Sequence, residues 1–341
     1  MSSAKLSQPM LKNESNDIAV LLVNLGTPTS PTASALRQYL REFLSDPRVI
    51  EAPRILWWII LRVFILPFRS GIRAKAYEEI WDTSNDESPL RGGTRRLSEK
   101  LALNLEGLRI DWAMRYGHRS IEERVTYLSQ KGFERIVVWP LYPQYSASTT
   151  ASVIDSLGRC LTYLRKQPAI RIVPPYFDKS AYINALKRSI EDSLDALTWE
   201  PERLLLSFHG LPVAYIERGD PYLDHCLRTA DALKTTLNLP DSKFEFSFQS
   251  RFGPSQWLQP FTDTRLKELP SEGIKKIAVL CPGFAVDCIE TLEEIGIRGR
   301  QTFLASGGSH FALLRCLNDG PAAVEIAQSL LEHELAGWVG R

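Results

Sequence analysis

The sequence predicts a two-lobed α/β protein built on parallel sheets, with its ligand held in a cleft between the lobes. Three observations lead there. Short aliphatic or β-branched runs alternate with longer amphipathic stretches, the pattern of βαβ units with helices on both sheet faces. The alternation runs twice, a first set up to about residue 173 and a second from about residue 181 to about residue 308. The segments rich in unusual chemistry stand at strand exits, where open α/β sheets keep their ligands.

In chain order the strand candidates are residues 18–24, 109–114, 135–139, 170–173, 204–208, 244–248 and 276–280. Between them the helical candidates are 32–44, 94–105, 121–131, 181–197, 221–237 and 322–335, the last expected to return over the first set. Residues 1–17, rich in Ser, Lys, Asn and Gln, are expected to be a disordered N-terminus without a secretory apolar core. Residues 55–68, ILWWIILRVFILPF, are strongly apolar but only 14 long, interrupted by Arg62 and broken by Pro67. A spanning helix needs about 20 residues. Two readings stay open: a buried core helix, or an exposed lip that meets a greasy ligand or a membrane surface.

The bulk numbers exclude several classes. Lys plus Arg is 41 against 40 for Asp plus Glu, a net of +1, so no global field draws nucleic acid or an anionic membrane. A hydrophobic share of 44% belongs to a folded globular chain. The five cysteines (160, 226, 281, 288 and 316) form no CxxC and no zinc spacing, and read as reduced thiols of a cytoplasmic chain. No phosphate-cradling GxxxxGK[ST] or GxGxxG opens a helix, and no GxSxG elbow is present.

Six loops carry the chemistry: NLGTP after the first strand, RYG, LYPQYSASTT, SFHGLP, FSFQSRFGPSQWLQP and CPGFAVDCIETLEE. In parallel sheets all six are expected to converge on one crevice, a large aromatic slot with a small polar pole. His209 of SFHGLP follows an apolar strand and precedes Gly210 and Pro212, which places it at a loop tip. Asp287, Glu290 and Glu294 fall at i, i+3 and i+7 of one helical face. A histidine and a carboxylate face at strand exits suit a divalent metal or moving protons. The bland readings stand beside these. A loop histidine is often structural, and Asp287 with Glu290 also spells a capping-box variant that gains from the helix dipole whatever its chemistry.

These stretches, with REFLSDPRVIE and AMRYG, resemble the ferrochelatase family in order and over nearly the whole chain. The resemblance implies a chelatase-like fold of two Rossmann-like lobes with parallel four-stranded sheets. Residues 18–178 plus 309–341 would form the first lobe, with 55–68 as its porphyrin lip, and 179–308 the second, carrying His209 and Glu290. It implies insertion of Fe(II) into protoporphyrin IX, the last step of haem synthesis. His209 and Glu290 then match the essential groups, catalytic and metal-binding, and Asp287 and Glu294 an acidic path. Leu25, Arg69, Tyr77, Ser88, Arg115, Tyr142 and Trp257 match the porphyrin pocket, with residues 82–87 an insertion beside Ser88. Cys288 stands where animal members have a histidine, so no role transfers there. The last cysteine, Cys316, leaves no spacing for an iron–sulfur cluster, so no cofactor is expected beyond the substrate ion. The expected partners are protoporphyrin IX and Fe(II), not nucleic acid, for a cytoplasmic monomer that touches the inner membrane face through 55–68. The alternatives are a chelatase for coproporphyrin or for cobalt in another tetrapyrrole, and a binding protein that carries haem without chemistry.

The chemistry explains those residue types. Metallation needs the flat ring buckled, two pyrrole N–H protons removed and the ion stripped of water. Rigid aromatic walls hold a distorted ring through binding energy. An imidazole is a base poised near neutrality, and imidazole with carboxylate holds the ion weakly enough to release it, where a thiolate cage would trap it.

Overall fold

Strand periodicity decides the layering. In the computed structural model, which describes residues 17–339, β1 (Ile18–Thr27) sends Ile18, Val20 and Leu22 into one core. Ala19, Leu21 and Val23 enter another, as a period of two requires. A strand buried on both faces is the centre of a helix-covered parallel sheet. The first sheet runs β2 (Arg109–Gly117), β1, β3 (Arg135–Pro140), β4 (Ala169–Ile172). The second runs β6 (Phe244–Gln249), β5 (Arg203–His209), β7 (Lys276–Leu280), β8 (His310–Leu314). All pairings within the two sheets are parallel.

The two orders are the same, and each contains a point where the strand order reverses. In the first sheet it lies between β1 and β3, in the second between β5 and β7. Ligands of open α/β sheets bind outside the carboxyl ends at that switch point. The lobes also share one core: Leu22 of β1, Leu206 and Phe208 of β5, and Ala327 of the C-terminal helix Pro321–Glu334 belong to a single buried cluster. That helix packs against both Pro89–Asn104 and Ser180–Asp195.

Three expectations change. The strand β8 is absent from the predicted set, and the boundary at residue 309 assigned it to the first lobe; it pairs instead with β7 in the second sheet. It is a half-exposed edge strand whose apolar run, 311–314, is short. Asp17, placed in the terminal stretch, pairs with Arg135 at 2.6 Å; the rest of that stretch lies outside the described residues. Residues 55–68 are part of one 25-residue helix, Arg54–Glu78, of mean hydropathy 1.7, long and apolar enough by length and composition to cross a membrane. Pro67 does not end it, because a π turn, Leu61–Ile65, precedes it and opens the helical ladder where the proline has no N–H to give. Leu61, Ile65, Ala74 and Tyr77 are buried against the protein. Ile55, Trp58, Phe64 and Phe68 on the other side are 53–82% exposed.

Candidate active site

A cavity of about 780 Å³ opens at the carboxyl ends of both sheets, a size that suits a large flat ligand. Its wall takes Leu25 from the loop after β1, Tyr142 from the loop after β3, and Trp257 from the segment after β6. His209, Glu290 and Glu294 line it too, so five of the six loops converge. The sixth does not. Arg115, expected at the pocket, lies near the end of edge strand β2, away from the switch point. Its guanidinium donates to the Asp46 carboxylate at 2.5 Å and to the Ser152 hydroxyl at 2.7 Å. Burial there makes it a structural cation, with Tyr116 donating to the same Asp46 at 2.8 Å.

His209 ends β5 beside the second switch point. Its Nδ1 lies 2.7 Å from the Gly210 carbonyl. A carbonyl only accepts, so Nδ1 carries the proton and Nε2 keeps the lone pair for a proton or a metal ion. Glu290 begins the wide π-helix Glu290–Gly299 that follows β7. Gln249, which the sequence reading passed over, ties the two halves together. Its buried side chain accepts from the Ser207 hydroxyl of β5 at 2.6 Å and donates to the Glu290 carbonyl at 2.8 Å. Ser250 then grips Glu294, donating its N–H to one carboxylate oxygen at 2.8 Å and its hydroxyl to the other at 2.6 Å.

The acidic row differs from the expected one. With i→i+5 bonding the side chains that share a wall are four apart, and Glu290, Glu294 and Arg298 line the cavity. Asp287 precedes the helix and turns away. It is 2% exposed and accepts from Asn318 Nδ2 at 2.8 Å, Thr291 Oγ1 at 3.0 Å and Arg315 Nε at 2.7 Å. Its place on an acidic path is therefore replaced by that of a buried anchor. The signal for the wide helix was present as Gly296 and Gly299. A Cβ at Gly296 would sit 2.9 Å from Leu313, and one at Gly299 would sit 3.1 Å from Leu266.

The remaining wall is aromatic with one cationic edge. Tyr39, Tyr77 and Tyr142 line it, and burial raises each phenol well above its ordinary range, so all three stay neutral. The Tyr142 hydroxyl has no hydrogen-bond partner among the described residues. Trp257 is fixed by donation from Nε1 to the Phe252 carbonyl at 2.9 Å. Gly210 leaves room for it, since a Cβ there would meet the indole at 3.2 Å. Ser88 is on the wall, and its hydroxyl caps the helix Pro89–Asn104 by accepting from the Arg91 N–H at 3.3 Å. Arg69 stacks on Phe252 at 4.2 Å with Arg73 nearby. Among the described residues neither forms an ion pair, and burial with the Arg73 charge lowers the Arg69 pKa. Cys288 also faces the cavity; burial and the neighbouring Glu290 carboxylate raise its pKa well above the usual thiol range. It is a neutral thiol.

Comparison with known proteins places this geometry. A family model described as Ferrochelatase matches residues 17–335. A ferrochelatase of Rhodopseudomonas palustris (strain BisA53) is 49% identical over 325 residues, 94% of each chain. One from Brucella anthropi is also 49% identical, over 94% of this chain and 93% of its own. Among solved structures, SirB from Bacillus subtilis with Fe3+ matches with a TM-score of 0.54 at 13% identity, covering 93% of this chain and 97% of its own. At that identity the likeness is one of fold.

Proposed function

The chain belongs to the ferrochelatase family, metal-chelating lyases of haem synthesis that insert Fe(II) into protoporphyrin IX, and from that premise we propose how its residues divide the work. The ring lies in the aromatic cavity between Leu25, Tyr77, Tyr142 and Trp257. Arg69 and Arg73 form an unneutralised cation pair that two ring propionates relieve. His209 Nε2 takes pyrrole protons, and Glu290 receives the ion from water. The observation that carries this reading is the pairing of a lone-pair-bearing imidazole and a carboxylate across one switch point, in a cavity large enough for the ring. One proton leaves each of the two pyrrole N–H groups as one Fe(II) enters, so the net charge of the macrocycle is unchanged.

Glu290→Gln keeps the volume and removes the charge. Anaerobic metallation should fall at least about a hundredfold, the usual scale for losing an acid–base group, while porphyrin still binds and quenches tryptophan emission. Normal turnover by this variant overturns the assignment. The protein works as a cytoplasmic monomer with no nucleic-acid partner and needs no iron–sulfur cluster, its five cysteines being too scattered along the chain for cluster spacing. The exposed side of Arg54–Glu78 rests on the inner membrane face. Support comes from the apolar row at Ile55, Trp58, Phe64 and Phe68 beside the cavity mouth, a patch with the anatomy of an interfacial helix.

A further inference from the structure

The row along Glu290–Gly299 ends in the opposite charge from the one it begins with. Side-chain exposure rises from 16% at Glu294 to 54% at Arg298, so the row runs outward to solvent and stops at a cation. Arg298 Nη2 lies 4.0 Å from the Glu294 carboxylate. Its guanidinium is held from behind by Glu293, with Nε and Nη2 donating at 2.6 and 3.0 Å. The Glu293 side chain is only 8% exposed and is absent from the cavity wall. Glu294 cannot swing freely to meet an arriving ion, because Ser250 occupies both of its oxygens. Ser250 holds that grip from a left-handed backbone at φ 66°, a conformation a serine adopts only when its surroundings impose it.

We propose that Arg298 is an electrostatic gate for the metal substrate: its charge at the outer end of the Glu290–Glu294 row opposes entry of a divalent cation there, and Glu293 sets the strength of that opposition. The proposal rests on the reading that Glu290 receives the ion. A doubly charged ion about 6 Å from a guanidinium meets, even at the dielectric of bulk water, a repulsion that weakens association about tenfold. The pair with Glu293 offsets part of this, and salt screens the rest.

The test is a signed series. Apparent KM for Fe(II) and KM for porphyrin are measured anaerobically, and Zn(II) alone is titrated by calorimetry without porphyrin. Arg298→Gln should lower the metal KM and the Zn(II) Kd by about five- to tenfold at low ionic strength, with the gain shrinking at high salt. Glu293→Gln bares the guanidinium and should raise both. In each variant the metal KM moves more than the porphyrin KM. A folding defect moves both variants the same way, so opposite signs are the signature. Unmoved metal constants, or equal signs, overturn the proposal. With Glu290→Gln inactive, such a result sinks the gate alone; normal metallation by Glu290→Gln sinks the gate together with the ion's placement.

Discussion

Asp287→Asn separates anchor from path. The carboxylate is 2% exposed and gathers donors on both oxygens. One accepts from Thr291 Oγ1 at 3.0 Å and the Cys316 N–H at 3.4 Å, the other from Asn318 Nδ2 at 2.8 Å and Arg315 Nε at 2.7 Å. Asparagine keeps the shape, loses the charge and turns one acceptor into a donor facing donors. A hydrogen bond to a charged group contributes about 1.5–3 kcal/mol. Arg315 is 65% exposed, so its share is discounted to the small value of a surface pair. The sum is about 2–3 kcal/mol of lost stability. It should show as a lower urea midpoint at unchanged slope, with the metal KM of the folded fraction within about twofold of wild type. A variant of wild-type stability that has lost its metal affinity would refute the anchor and restore Asp287 to the acidic row.

Trp58→Glu/Phe64→Glu, on the exposed side of Arg54–Glu78, should abolish flotation with anionic vesicles while the thermal midpoint holds; unchanged flotation returns this side to bare solvent. His225 gives a pH dependence. Its Nδ1 accepts the Tyr145 N–H at 3.1 Å, and its ring stacks on Phe177 at 3.7 Å. Burial holds its pKa below the ordinary value; Arg228 adds to this, while Asp224, Asp178 and Asp220 oppose it. Its contribution is therefore full above about pH 6.5 and lost as pH falls through the depressed value. His225→Gln should flatten that slope between pH 7 and 5, and an unchanged slope removes His225 from the account. Protein purified anaerobically and free of porphyrin should lack visible absorption near 420 nm; stoichiometric acid-labile sulfide would contradict the cluster-free expectation.

The parts legible in the sequence are those in which one residue type has one physical use. Unbroken apolar runs such as 18–23 and 277–280 leave little but a buried parallel strand, and the loops after them had to carry polar chemistry. His209 and Trp257 were readable for that reason, at a strand end and in a loop. Other features depend on partners far along the chain. Arg115 looks like a pocket cation until Asp46 and Ser152 fold against it, and Asp287 looks like a step on an acidic path until Asn318 claims it. Helical width changes which residues share a wall, and only two glycines hinted at it. Gln249 was invisible because a buried glutamine joining two elements has no local pattern at all.

The central claim is that this chain metallates protoporphyrin through an imidazole poised at the end of β5. Purified full-length protein is mixed anaerobically with protoporphyrin IX and Fe(II), and the Soret and Q bands are followed for wild type and for folded His209→Ala. The account predicts conversion to protohaem by the wild type and a rate at least about a hundredfold lower in the variant. A His209→Ala enzyme that keeps more than about a tenth of the wild-type rate contradicts it, because no base of that kind is lost so cheaply.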